Sequence, residues 1–300
     1  MRLTFLGTAG SWPTKERSAS AIALDTEREL VLFDCGEGTQ RQFFQSSASF
    51  MRVHRVFITH FHGDHFLGLP GLIQSMCLNN RTDPLEVYGP KDAQVMVDRV
   101  LSLGYFTQRF PINVHPLDPG QSVELNGYTI RTALADHPVP ALAYRLDEGP
   151  KRGRFDPRKA KELGIRGTDF SQLEAGEPVH VEGHVVHPED VIGPPRAGRS
   201  LVYSGDSAPS EEVRKLATKA TLLIHEATVG TDLEAEANRW GHSSARQAAE
   251  LARNAEVGML FLTHFSSRYK ESAPLAAEAQ AQFPHAQAAR DLLDHLILQP

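Results

Sequence analysis

The stretch Val56-Phe57-Ile58-Thr59-His60-Phe61-His62-Gly63-Asp64-His65 constrains this chain most tightly. An apolar, β-branched run of strand length ends in His-x-His-x-Asp-His, and a helix is expected to open at Phe66. Three imidazoles and a carboxylate within six residues are the donors that borderline divalent metals prefer. His60 and His62 can address one metal while Asp64 and His65 reach a second beside it. Two metals about 3.5–4 Å apart suit in-line displacement at phosphorus. A surface turn rich in histidine would need neither an apolar strand before it nor alternate histidines.

The same grammar recurs along the chain. Leu201 to Ser204 runs into Gly205-Asp206, Thr221 to Ile224 into His225-Glu226, and Met259 to Thr263 into His264. Continuous apolar runs are expected of strands covered on both faces, and ligands in α/β folds gather at the carboxyl ends of such strands. His137 follows the strand Tyr128 to Thr132, where a loop residue and a ligand fit equally well. Ala19 to Leu24 and Leu30 to Phe33 read as paired strands around a charged turn, the second ending at Asp34. That place suits a partner of a ligating histidine as well as it suits a surface turn. Leu3 to Leu6 leads into Gly7-Thr8-Ala9-Gly10, which lacks phosphate-loop spacing and reads as a tight turn only. Pro13 to Ser18 is a polar loop carrying Lys15 and Arg17, and His54, His115, His180, His184 and His187 read as surface residues.

A length of 300 residues favours one large α/β domain. The net charge of −6 means that a polyanionic substrate must be met by local basic patches. No apolar run approaches the ~20 residues of a membrane span, and the N-terminus reads as a strand without a signal peptide's regions. Cys35 and Cys77 are too few for a disulfide framework, so the cytoplasm is the expected compartment. Between Arg145 and Arg199 the texture changes. From Gly149 to Lys161 six basic residues stand against Asp156 alone, and a helix over Pro157 to Leu163 and a hairpin over Val179 to Val186 are expected. A charge run of this kind is ordinarily a solvated lobe; the functional reading is a basic arm for a phosphate backbone.

Ser204-Gly205-Asp206-Ser207, His225-Glu226-Ala227-Thr228, Gly241-His242-Ser243 and Thr263-His264-Phe265-Ser266-Ser267-Arg268-Tyr269 follow the His60 to His65 element in one order. Together they resemble the short form of the ribonuclease Z family, tRNA 3′-processing endonucleases of the metallo-β-lactamase superfamily. The resemblance implies an α/β fold, a metallo-β-lactamase αββα sandwich over residues 1–300 with an inserted, flexible basic arm at 148–199 serving as a tRNA-binding exosite. It implies two Zn2+ per subunit, one on His60, His62 and His137, the other on Asp64, His65 and His264, with Asp206 bridging. Asp64 would be base or orienting group toward a metal-activated water, and His242, tuned by Glu226, the acid for the leaving 3′ oxygen. RNA contacts would come from Lys15, Arg17, Lys151, Arg152, Arg154, Arg158, Lys159 and Arg268. The expected activity is removal of 3′ trailers from precursor tRNA, leaving a 3′-hydroxyl on the tRNA and a 5′-phosphate on the trailer, by a cytoplasmic homodimer with no membrane association. Two alternatives stand beside it: a phosphodiesterase or lactonase of small substrates, which needs no arm, and a metal-stabilised binding protein without catalysis. The chain departs from the family at Ile165-Arg166-Gly167-Thr168, where arms commonly carry Gly-Pro, and at Ser18, where Asn is usual.

Overall fold

A computed structural model describes residues 1–125, 127–181 and 183–299. The chain folds into two compact units, one of Met1–Asp147 with Arg199–Leu298, the other of Glu148–Gly198 with Gln299.

The larger unit is built on two seven-stranded sheets. In the first, Arg2–Gly7 lies between Asp294–Leu296 and Ala21–Asp25, both antiparallel to it. Leu30–Phe33, Val53–Phe57, Leu85–Gly89 and Ile112–Pro116 then follow, parallel to one another. In the second, the parallel strands Ser200–Tyr203, Leu222–Glu226, Leu260–Thr263 and Ala286–Ala288 adjoin the antiparallel Leu142–Glu148, Tyr128–Leu134 and Ser122–Leu125.

The pleat sorts each strand's apolar residues onto two faces. Leu3, Phe5, Ile22, Leu24, Val31, Phe33 and Phe57 of the first sheet share one buried cluster with Ile130, Leu142, Tyr144, Leu201, Tyr203, Ile224 and Phe261 of the second. Their alternates Leu6, Ala23, Leu32, Val56 and Val87 pack against Phe43, Leu72, Ile73, Met76 and Val97 of helices on the opposite face. Val202, Leu223, Leu260 and Leu262 do the same against Val213, Ala248, Ala252 and Leu275. Helix, sheet, sheet, helix is therefore the order of the layers. Both faces of the central strands are dry, which is why they read as unbroken apolar runs. Each such Leu, Ile, Val or Phe contributes about 1.5–3 kcal/mol by leaving water.

The helix expected to open at Phe66 begins earlier. A short turn of helix spans Gly63–Phe66 and the main helix runs Leu69–Leu78. His62 stands at the N-cap in extended geometry and Asp64 carries its charge in the first turn, where the exposed N–H groups favour an anion. Asp64 and His65 thus sit on helix, not on a loop before one.

The smaller unit has its own apolar cluster of Ala160, Ile165, Leu173, Val179, Val181, Val186 and Val191. The helix Pro157–Glu162 starts at Asp156, whose carboxylate accepts from the N–H groups of Arg158 and Lys159, both at 3.0 Å. The hairpin pairs Val179–Val181 with His184–Val186. Two further short helices, Asp169–Ala175 and Pro188–Val191, go beyond what the sequence pattern signals. Among the described residues, no helix is long and apolar enough to cross a membrane.

Candidate active site

The carboxyl ends of the parallel strands deliver polar side chains to one place in the larger unit. His60 Nε2 lies 3.1 Å from His62 Nδ1, which lies 3.1 Å from His137 Nε2. Asp64, His65 and His264 form a second group, and Asp206 stands in further groups with His60 and His65 and with His242 and His264. Asp206 Oδ2 is 3.7 Å from His60 Nε2, 3.4 Å from His65 Nε2 and 3.2 Å from His264 Nε2. All seven residues expected as ligands are thus brought together.

The hydrogen bonds around them indicate which nitrogen carries the proton in four of the rings. His65 Nδ1 donates to Asp34 Oδ2 at 2.7 Å, leaving Nε2 as a lone pair. The Thr59 hydroxyl has one proton, held by Asp34 Oδ2 at 3.0 Å, so at His60 Nδ1, 3.1 Å away, it must accept. The Thr228 hydroxyl likewise gives its proton to Glu226 Oε2 at 2.6 Å and accepts from His264 Nδ1 at 2.9 Å. His137 Nδ1 donates to the Gly241 carbonyl at 3.1 Å. Four imidazoles therefore point bare Nε2 lone pairs inward, the arrangement in which an outer partner orients a metal-ligating histidine.

His65 Nε2 and Asp206 Oδ1 are buried with no hydrogen-bond partner. Buried acceptors without donors are costly, and a cation supplies what is missing. Nitrogens 3.1 Å apart are also close to the ~3.3 Å edge of a tetrahedron with 2.0–2.1 Å bonds. The donor set fits a bound metal.

Electrostatics agree. Burial alone would raise the Asp64 carboxyl; where protons stand in for a cation on His264 and His65, their hydrogen bond and charge hold it well below the usual range. Burial would also lower His242, but the charge of Glu226 and the bond from His242 Nδ1 to Glu226 Oε1, at 3.0 Å, carry it up to about 9. Glu226 is itself fixed by the N–H groups of Ser207 and Thr228, each at 3.1 Å. The Cys35 thiol is buried and pushed up to about 12 by desolvation, which leaves it outside the ligand set.

Some of the chain's left-handed backbone lies at this site. Asp34 and His264 adopt left-handed φ of 55° and 58°. Gly241, at φ 77°, passes so close to His137 and Pro138 that a Cβ would lie 2.5 Å from the proline ring.

Some parts of the site are not evident in the sequence. The turn after Leu6 is more than a turn: the Ser11 N–H donates 2.7 Å to Asp64 Oδ2, and Gly10 lies against the His264 ring. Tyr203 donates 2.8 Å to Asp34 from the other sheet. His225, although at a strand end, is turned away by the pleat; its Nδ1 bonds the Glu226 carbonyl at 2.8 Å. Thr59 and Thr228 each stand next to or two residues from a singled-out residue, a hydroxyl signal the sequence does carry.

The expected RNA contacts divide into engaged and open cations. Arg17 spends its guanidinium on the carbonyls of Tyr269, at 2.6 Å, and Lys270, at 3.1 Å. Arg152 bonds the carbonyls of Glu174 and Leu173. Lys151 pairs with Glu148 at 2.6 Å, and Arg158, almost wholly in solvent, with Glu162 at 3.3 Å. Lys15, Arg154, Lys159 and Arg268 are exposed. Arg268 lines a cleft of about 840 Å³ that also holds His62, Asp64, His137, His242 and His264.

Residues 1–144 match the family profile "Anti-Pycsar protein Apyc1" and residues 160–265 the "Beta-lactamase superfamily domain". The chain is 42% identical over 295 residues to ribonuclease Z of Thermoplasma volcanium, covering 98% of this chain and 97% of that one. It is 47% identical over 294 residues to ribonuclease Z of Methanothermobacter thermautotrophicus, covering 98% and 95%. Among solved structures, human tRNase Z, short form, superposes with a TM-score of 0.73 at 28% identity over 99% of this chain and 100% of that one.

Proposed function

The chain belongs to the ribonuclease Z family, and from that premise we propose that it is a zinc-dependent endoribonuclease that removes 3′ trailers from precursor tRNA. One observation carries the reading: six imidazoles, two aspartates and a buried glutamate converge on one cleft, with the His242–Glu226 pair beside the metal-type donors. His60, His62 and His137 would hold one Zn2+ and Asp64, His65 and His264 the other, with Asp206 between them. Bound there, zinc would polarise the phosphate and lower the pKa of water into the neutral range.

The chain's own groups supply the rest. Asp64 is the base or the orienting group for the attacking water. As the water oxygen bonds to phosphorus, the bond from phosphorus to the 3′ oxygen breaks, and His242 hands that oxygen a proton. His242 Nδ1 is held by Glu226, so Nε2 is the nitrogen left for the substrate. The tRNA keeps a 3′-hydroxyl and the trailer leaves with a 5′-phosphate. The proposal extends to Lys15, Arg17 and Arg268 as contacts near the RNA 3′ end, to residues 148–199 as the arm that binds the tRNA body, and to a cytoplasmic homodimer, as the family resemblance implies.

The test is cleavage of an end-labelled precursor carrying a 3′ trailer, with and without a chelator. Cutting at the acceptor end that the chelator abolishes, and added Zn2+ restores, is expected. No cutting, beside metal-dependent hydrolysis of a small phosphodiester, would move the chain to the small-substrate class.

The arm makes its own prediction. Arg152 stabilises the helix it caps, so the informative variant leaves it in place and replaces Arg154, Arg158 and Lys159 with Ala. The exposed Arg158–Glu162 pair is worth little to stability, so the fold should survive. If each cation neutralises one phosphate, the slope of log affinity against log salt flattens by about 2–3. A slope equal to that of wild type would remove the arm from the RNA interface.

A further inference from the structure

The chain has two tryptophans, Trp12 and Trp240, and both line the cleft that contains Asp64 and His242. Neither is packed away: Trp12 is 60% exposed and Trp240 66%. The indole is a large apolar surface, and leaving it in water is unfavourable unless something covers it.

Each ring is carried by backbone that also fixes a catalytic group. Trp12 follows Ser11, whose N–H holds Asp64 at 2.7 Å, and its own N–H returns to the Gly10 carbonyl at 2.9 Å. Trp240 and His242 are tied to the same Ala237 carbonyl, at 2.9 and 3.0 Å. One ring is therefore tethered beside Asp64 and the other beside His242. Arg268 lines the same cleft. Flat π faces with a cation nearby are what a single-stranded nucleotide needs: a surface for the base and a charge for the phosphate.

We propose that Trp12 and Trp240 are stacking platforms for the two bases that flank the cut. This rests on the endoribonuclease reading above. Trp240 takes the last base of the tRNA, because His242, two residues on, meets that nucleotide's 3′ oxygen as it leaves. Trp12 takes the first base of the trailer. Both are positioning residues: they hold the single strand so that the scissile phosphate lies between Asp64 and His242.

The experiment compares kcat/KM on an intact precursor with kcat/KM on precursors made abasic at either of those nucleotides. Trp240→Ala is expected to lose about 5- to 100-fold on the intact precursor, the range set by one base stacked on an aromatic ring. On the precursor lacking the last tRNA base it loses almost nothing more, because the contact is already gone. Trp12→Ala behaves in the same way toward the first trailer base, and Trp→Phe at either position recovers most of the loss. Both side chains are exposed, so thermal midpoints stay at the wild-type value. Equal losses on intact and abasic precursors, or no loss at all while wild type cuts normally, would overturn this inference alone. A wild type that cuts no precursor would overturn the endoribonuclease reading and this inference with it.

Discussion

Asp64→Ala is expected to lower cleavage of a precursor tRNA by about 10²–10⁴-fold, the range for losing a group that handles a proton at the reacting centre. The carboxylate serves several neighbours at once. Its Oδ2 accepts from Ser11 N–H at 2.7 Å and lies 3.3 Å from His264 Nε2 and 3.6 Å from His65 Nε2. Its pKa lies well below the usual carboxylate range, so it is ionised at any working pH. Alanine removes a negative charge from a crowd of imidazoles, and bound metal measured by mass spectrometry should fall with activity. Asp64→Asn keeps the shape but not the charge and should be nearly as inactive, which separates charge from packing. The fold should hold in both, because the apolar clusters between and outside the sheets do not include this residue. The lost hydrogen bond costs about 0.5–1.5 kcal/mol. Wild-type rates in either variant would refute the site.

The parts of this centre that the sequence makes visible are those that interrupt a pattern. His60, Asp206 and His264 each break an unbroken apolar run, and a run dry on both faces has few reasons to end in a metal-type donor. The signal weakens where the contact is made by backbone or by hydroxyl. Ser11 acts through its N–H at φ 68°, a contact that leaves no trace in residue type. Tyr203 reads as one more apolar strand residue, and only the packing of two sheets shows that its hydroxyl reaches Asp34. Asp34 itself is readable as a partner for a histidine because it ends a buried run. His225 shows the opposite failure. It sits at a strand end, but Glu226 takes the inward position, so a period of two decides between neighbours that composition treats alike. The short helix at Gly63–Phe66 is hidden because Gly63 is a poor helix former, and tertiary contacts outweigh that local preference. The expected helix and hairpin of the smaller unit are present, but the helix Asp169–Ala175 ends at Gly176 in a left-handed cap, and its single buried Leu173 gives no periodicity to read.

The second large effect is expected at His242, and pH separates its two possible origins. His242→Ala should cost about 10²–10⁴-fold if the imidazole protonates the leaving oxygen. Glu226→Gln should cost about 10- to 100-fold near neutrality, as the loss of a group that orients and charges another. The sign of the pH dependence follows from the geometry. Burial disfavours imidazolium, and the Glu226 carboxylate at 3.0 Å outweighs it, so in wild type the protonated form persists above the ordinary histidine range. An acid is useful only while it holds its proton, so activity that depends on it falls as pH rises through the folded pKa. With Gln at 226 the raising charge is gone and the lowering effect of burial stays, so the alkaline limb of kcat/KM should move to lower pH. The deficit of Glu226→Gln is then larger at about pH 8.5 than at about pH 6, and part of the lost activity returns on acidification. A deficit that is the same at every pH would mean that Glu226 only holds the ring in place through its bonds to His242, Ser207 and Thr228. A leaving group that needs no proton gives a third profile. His242→Ala would then be nearly normal on a precursor whose bridging 3′ oxygen is replaced by sulfur, because a thiolate departs unprotonated; rescue of that kind, present in His242→Ala and absent in Asp64→Ala, would assign the two groups to opposite sides of the phosphorus.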